Sequence, residues 1–164
     1  MAQLTFCPRC AKPLIDADRS GRLRQLCPDA ACGFVHWDNP LPVVAALVEH
    51  EGAVILARNK GWPEGWFGLV TGFLERGESP EAGVLRELKE ELGLDGRIES
   101  LIGVYPFEVR NEVIVAYHVT ATGSVVIGEE IEAIKRVAPE KLRAWPMGTG
   151  LAVGEWLRRR AGNK

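Results

Sequence analysis

The chain has 164 residues, 46% of them hydrophobic, and a formal net charge of −2, which suits one compact domain with a small additional module. No apolar run is long enough to cross a bilayer, and the N-terminus lacks the charged and apolar regions of a signal peptide, so the cytoplasm is the expected compartment. The near-neutral charge excludes strong long-range attraction to nucleic acid.

All four cysteines fall at the start of the chain, in Cys7-Pro8-Arg9-Cys10 and in Cys27-Pro28-Asp29-Ala30-Ala31-Cys32. Two close pairs of thiolates suit tetrahedral Zn²⁺. So short a segment cannot fold on apolar burial alone, and the metal would supply the folding free energy of a zinc ribbon over residues 1–38. Two disulfides are the alternative, against which stand the missing secretory signal and a cysteine-free remainder. His36 would replace a cysteine only with less regular geometry and is expected packed or exposed. Arg19, Arg22 and Arg24 form a local basic patch. Phe6, Phe34 and Trp37 flank the cysteines and leave apolar surface to be covered.

Asn39-Pro40-Leu41-Pro42 reads as a linker into a second domain, residues 39–164. Strands are predicted over 43–49 and 53–57, joined by a turn at Glu51-Gly52. Gly61-Trp62-Pro63-Glu64-Gly65 predicts a mobile loop, followed by a short strand over 66–70. Trp62, Trp66, Phe67 and Phe73 offer flat faces for a base, although most of them are expected in the core.

A helix is predicted over 79–92: Ser79 can cap it, Pro80 sits where a missing N–H costs nothing, and Gly93 can take the left-handed stop. Leu85, Leu88 and Leu92 form an apolar stripe that anchors it. Glu87, Glu90 and Glu91, at i, i+3 and i+4, crowd together on a face directed elsewhere, with Arg86 placed to pair with Glu90. Like charges at that spacing destabilise a bare helix by a few tenths of a kcal/mol per pair, and a hard divalent cation reverses the sign. The cluster therefore asks for Mg²⁺ or Mn²⁺. Further on, strands are predicted over 101–109 and 113–122 with a turn at Asn111-Glu112, and a weaker one over 130–137. A helical turn over 139–143 precedes a terminal helix over 151–160, with Leu151, Trp156 and Leu157 on its apolar face.

Gly72, five residues, Glu78, seven residues, and then Arg86-Glu87-Leu88-Lys89-Glu90-Glu91-Leu92-Gly93-Leu94 fill every fixed position of the Nudix box. By this segment the chain resembles a Nudix hydrolase. The resemblance implies an α/β/α sandwich with a mixed sheet and hydrolysis of the diphosphate in a nucleoside diphosphate linked to a second group. It implies Glu87 and Glu91 as principal ligands of the catalytic divalent ions, Glu90 assisting, Arg86 in the catalytic set and a Thr71 backbone carbonyl completing the site. Some members draw the proton acceptor from a loop beyond the box, where Glu129, Glu130 and Glu132 stand. Glu129 is the choice here, as base and as a further metal ligand.

A ribbon joined to such a domain is similar to the NADH pyrophosphatase branch, which cleaves NAD(H) and removes NAD caps from RNA. That branch carries a Ser-Gln-Pro-Trp-Pro-Phe-Pro array after the box. Here the stretch is Gly103-Val104-Tyr105-Pro106-Phe107-Glu108-Val109, and only Pro106-Phe107 echoes it, so ADP-ribose or another nucleotide sugar competes with NAD(H) as substrate. Phe73 matches a base-contacting position of the branch. The resemblance further implies a homodimer in which the ribbon or first hairpin of one chain bounds the other's pocket. A nucleotide-sensing or RNA-binding regulator, and an enzyme cleansing nucleoside triphosphates, stay open as alternatives.

Overall fold

The computed structural model describes residues 4–162, which divide into the units Met1–Pro40 and Leu41–Lys164. In the first unit β1 (Ile15–Arg19) and β2 (Arg22–Leu26) form an antiparallel hairpin, and β3 (Val35–His36) pairs with the end of β2. Ser20 and Gly21, with φ of 57° and 76°, supply the two left-handed residues of a tight hairpin turn. Arg19 stands opposite Arg22 and Ala17 opposite Arg24, so the three arginines share one face. No residue of these three strands is fully buried, so the hairpin encloses little core of its own.

The second unit contains β4 (Leu41–His50), β5 (Ala53–Asn59), β6 (Val70–Phe73), α1 (Pro80–Leu92), β7 (Asp95–Phe107), β8 (Glu112–Thr122), β9 (Ile131–Val137) and α2 (Gly150–Gly162). The sheet runs β7-β8-β4-β5-β9, with β6 also against β4. β4 and β8 are parallel and the other pairs antiparallel, so the sheet is mixed. β4 is buried on both faces, and its alternation separates two cores. Val44, Ala46 and Val48 meet Val84, Leu88 and Leu92 of α1 on one side. Val43, Ala45 and Leu47 meet Ala152, Val153 and Trp156 of α2 on the other. The result is an α/β/α sandwich. Among the described residues, no helix is long and apolar enough to cross a membrane.

Several expected boundaries move. Leu41 and Pro42 are not linker: they open β4 opposite Glu112 and Val113, and the Leu41 N–H donates to the Asn111 carbonyl at 2.9 Å. The strand expected over 66–70 lies later, because β6 takes its register from Val43–Ala46 of β4; Gly68 makes only an isolated bridge with Ala57. β7 begins at Asp95 and ends at Phe107, and Val109 belongs to a 3-10 turn. Two register shifts, between Ile98 and Ser100 and between Leu101 and Gly103, break the alternation that would have revealed the strand's length. In α2 the buried face is Ala152, Val153 and Trp156 with Leu157 packed beside it, whereas Leu151 is 39% exposed. In α1 Val84 joins Leu88 and Leu92 in the core, Leu85 packs at its margin, and Glu91 is buried rather than turned away.

Candidate active site

α1 starts where the Ser79 hydroxyl accepts from the Ala82 N–H at 3.2 Å and stops at Gly93, whose φ is 68° and whose N–H donates to Lys89. Between these caps, apolar positions 84, 88 and 92 set the rotation of the helix, which leaves Glu87 and Glu91 on one edge, a turn apart. β6 passes beside that edge. The Glu87 carboxylate lies so close to Gly72 that a β-carbon there would fall 1.8 Å from Glu87 Oε1.

Arg86 organises the carboxylates. Its Nε and Nη2 donate to the two oxygens of Glu78 at 2.9 Å each, its Nη1 to Glu87 Oε1 at 2.8 Å and Glu90 Oε2 at 3.0 Å, and its Nη2 also to the Phe73 carbonyl at 3.1 Å. The fork pairs with Glu78 in two parallel bonds, a geometry that lysine cannot reproduce. These partners, Glu78 first, raise the Arg86 pKa and keep it charged, and Arg86 in return lowers Glu78. Helical spacing pointed to Glu90 as the partner of Arg86. The stronger pairing with Glu78 crosses the N-terminal turn, eight positions away, which no helical period announces.

Glu91 is 4% exposed, and its Oε2 has no hydrogen-bond partner. Burial, then the charges of Glu87 and Glu130, push its pKa up to about 8, against a lowering hydrogen bond from the Asn59 side chain. Glu87 is raised too, by burial first, with Arg86 opposing and Glu90 and Glu130 adding repulsion. Glu91, buried with one oxygen unsatisfied, and the half-buried Glu87 beside it offer hard oxygen donors of the kind that Mg²⁺ or Mn²⁺ takes.

The segment after β8 closes the C-terminal end of α1. Val126 N–H donates to the Leu92 carbonyl at 2.9 Å and Gly128 N–H to the Glu91 carbonyl at 2.8 Å, occupying acceptors that the helix itself leaves open. A β-carbon at Gly128 would come within 2.2 Å of the Glu90 carbonyl oxygen. Glu129 and Glu130 follow and are both exposed; the Glu130 charge is among those that raise Glu87 and Glu91. Glu132 turns to Arg58 at 3.5 Å. Thr71 is half-buried in β6 opposite Ala45.

The aromatic candidates separate. Phe73 is 54% exposed beside the carboxylates, its carbonyl held by Arg86. Trp62 packs against the backbone, its ring 3.2 Å from where a Gly68 β-carbon would stand, and its backbone N–H donates to the Asn59 carbonyl. Phe67 lies under both Arg58 and Lys135, at 6.0 and 5.9 Å, while Trp66 is 61% exposed.

In the first unit the four cysteines are free, and their Sγ atoms lie within 4.8 Å of one another. Cys7 and Cys32 are 3.6 Å apart, Cys10 and Cys27 3.5 Å. A tetrahedron with metal–sulfur bonds of ~2.3 Å has edges of about 3.8 Å, so the four thiols fit one ion. The longer second spacer is taken up at Asp29, whose carbonyl accepts from Cys32 and Gly33 and whose side chain accepts from Ala31. Burial raises the Cys27 and Cys32 thiols, Cys27 to about 12. Burial would raise Cys7 as well, but N–H donors at Arg9 and Cys10 and the neighbouring thiols bring it down to about 7. His36 stands outside the set, its Nδ1 3.4 Å from Gln25 Oε1.

The family model described as NUDIX domain matches residues 39–153. Over 99% of its length the chain is 29% identical to the NAD-capped RNA hydrolase NudC of Stutzerimonas stutzeri, of which it spans 59%. Over 68 residues, 41% of this chain and 40% of that protein, it is 41% identical to the ADP-ribose pyrophosphatase of Methanocaldococcus jannaschii. Of solved structures, a NUDIX hydrolase from Nitrosomonas europaea shares the fold at a TM-score of 0.81 and 22% identity, with 98% of this chain and 94% of that one covered.

Proposed function

The chain belongs to the NUDIX family and is a Nudix hydrolase, and from that premise we propose a Mg²⁺- or Mn²⁺-dependent pyrophosphatase that cleaves the diphosphate of a nucleoside diphosphate linked to a second group. NAD(H) and ADP-ribose are the first candidates, with NAD-capped RNA as a larger substrate of the same chemistry; the relatives named for NAD-capped RNA and ADP-ribose support this choice. The observation that carries the proposal is Glu91, a buried carboxylate with an unpartnered oxygen beside Glu87. No stabilising role for the fold accounts for such a group, whereas a cation does.

In this reading Glu87 and Glu91 hold the divalent ions, and Glu90 and the Thr71 carbonyl add oxygen donors. A bound Mg²⁺ or Mn²⁺ supplies neutralisation of the phosphate oxygens and a more acidic water. Arg86 fixes Glu87 and Glu90 in place while Glu78 fixes Arg86. The proton acceptor is proposed in the loop after β8, where Glu129 is the first choice and the charge of the neighbouring Glu130 also acts on Glu87 and Glu91. The water oxygen bonds to phosphorus, its proton passes to the carboxylate, and the bridging P–O bond breaks to leave two monophosphates. Phe73 offers an exposed ring for the base.

Cys7, Cys10, Cys27 and Cys32 hold a structural Zn²⁺ in the ribbon, which with the Nudix domain makes up the proposed two-domain organisation. Four free thiols accord with the cytoplasm. A homodimer is proposed from the exposed Phe6 and Trp37 of the first unit, 58% and 47% exposed, and light scattering at micromolar concentration tests it.

The purified protein is to be incubated with NADH, NAD⁺, ADP-ribose, nucleotide sugars and nucleoside triphosphates in Mg²⁺ or Mn²⁺, with products identified by mass. AMP is expected from NAD(H) or ADP-ribose. Cleavage of triphosphates alone would move the protein to nucleotide cleansing, and no cleavage of any of them would favour a sensor.

A further inference from the structure

Four strand ends meet at one corner of the larger sheet. Phe73, the last residue of β6, stands opposite Val43 of β4; Leu41, the first residue of β4, stands opposite Glu112 of β8; and Glu112 stands opposite Phe107, the last residue of β7. Paired residues, and residues two apart along a strand, project from the same face of a sheet. Val43 belongs to the α2 core, so Phe73, Leu41, Glu112 and Phe107 all fall on the α2 face. Phe107 packs against that core, and the segment before α2 comes close to it, with a β-carbon at Gly148 standing 3.7 Å from the ring. Phe73 and Leu41 stay open to solvent, 54% and 44% exposed.

Glu112 is the one carboxylate of β8, and its side chain is 10% exposed. Its ion pair with Arg110 spans 4.0 Å, beyond hydrogen-bond reach, and the Arg110 side chain is 60% exposed. Burial raises the carboxyl pKa, with Arg110 opposing. A carboxylate largely withdrawn from water calls for a donor. With strands ~4.8 Å apart and a rise of ~3.3 Å per residue, Glu112 lies two strands across and two residues along from Phe73, about 12 Å between backbones. That gap admits one flat ring laid on Phe73 with its polar edge toward the carboxylate. Arg86 holds the Phe73 carbonyl at 3.1 Å, which ties this platform to the carboxylates of α1.

We propose that Glu112 is a specificity-determining residue of the Nudix site: its carboxylate accepts a hydrogen bond from an NH₂ group on the ring that stacks on Phe73. The proposal rests on the diphosphatase reading given above and on Phe73 as the platform for the ring. A carboxylate only accepts, so a ring with a carbonyl or carboxylate in place of the NH₂ sets acceptor against a buried negative charge and is rejected. Two groups of the candidate substrates carry this donor, the amino group of adenine and the carboxamide of nicotinamide. The Nudix box ends at Leu94, and only the strand register brings residue 112 to the site.

The test compares kcat/KM within pairs of substrates that differ at the donor, in the wild type and in Glu112→Gln. NAD⁺ against nicotinic acid adenine dinucleotide reads the carboxamide; NAD⁺ against nicotinamide hypoxanthine dinucleotide, and ADP-ribose against inosine diphosphate ribose, read the adenine amino group. The wild type is expected to prefer the NH₂-bearing member of at least one pair about 100-fold, and Glu112→Gln to narrow that preference to under about 10-fold, chiefly through KM, because glutamine offers a donor as well as an acceptor. Glutamine keeps the size of the side chain, and a ratio of two substrates on one preparation does not depend on the folded fraction. A merely structural Glu112 would lower both rates and leave the ratio where it was. No preference in the wild type, or an unchanged preference in Glu112→Gln, would overturn the assignment alone. A wild type that cleaves none of these compounds would overturn it together with the diphosphatase reading.

Discussion

The carboxylate of Glu87 occupies the space that a β-carbon on residue 72 would need, with Oε1 and Cδ each 1.8 Å from that position. Gly72 pairs with Val44 in the sheet and has no left-handed φ, so its requirement comes from this approach rather than from backbone conformation.

Gly72→Ala should therefore leave the sheet intact and displace Glu87. An ångström-scale misplacement at a catalytic group costs on the order of 100-fold in rate. Circular dichroism should match the wild type while turnover falls by about that factor; normal turnover in a folded variant would contradict the described packing.

Glu87→Gln and Glu91→Gln should each lower turnover by several orders of magnitude while preserving the fold, because charge stabilisation through the metal is the main catalytic contribution. The double variant should lose less than the product of the two, since ligands of one site act together. The two differ in stability. Glu91→Gln removes a buried charge and should raise the thermal midpoint of metal-free protein near pH 8, whereas the half-buried Glu87, already paired with Arg86, offers little such gain.

Stability without divalent metal should fall as pH rises. Glu91 is raised in the folded state from 4.5 to about 8, so between these values the native protein binds the extra proton and unfolding releases it. This destabilisation is absent below about pH 4.5, grows through the window and is complete above about pH 8, at about 5 kcal/mol. Glu87, also raised, acts in the same direction. Thermal melts of zinc-loaded protein from pH 5 to 8 should show the decline without Mg²⁺ and lose most of it at saturating Mg²⁺; a flat profile in the metal-free protein would argue that Glu91 ionises freely.

Metal analysis after dialysis should find one Zn²⁺ per chain. Cys10→Ser should release it and unfold the first unit, visible as lost hydrogen-exchange protection over residues 4–40, with the second unit still protected. Two disulfides and no zinc in protein prepared under reducing conditions would refute the site.

What was legible in the sequence was what local rules encode. The ends of α1 depend on Ser79, Pro80 and Gly93, which act within a turn of themselves, and the box and the cysteine pairs carry their chemistry in their spacing. The tertiary structure decided the rest. A cluster of three helical carboxylates is expected to face away from the apolar stripe, but Glu91 lies at i+3 from Leu88 and beside Leu92, so the rotation of α1 against β4 buries it. Glu130 lies far from the box in the chain and comes near it through the segment after β8, whose Gly128 N–H donates to the Glu91 carbonyl, and β6 takes its position from β4 rather than from its own residues. Sequence patterning thus determined which groups could carry the chemistry, while strand register and helix rotation, set by packing between distant segments, decided which of them meet and which lose their water.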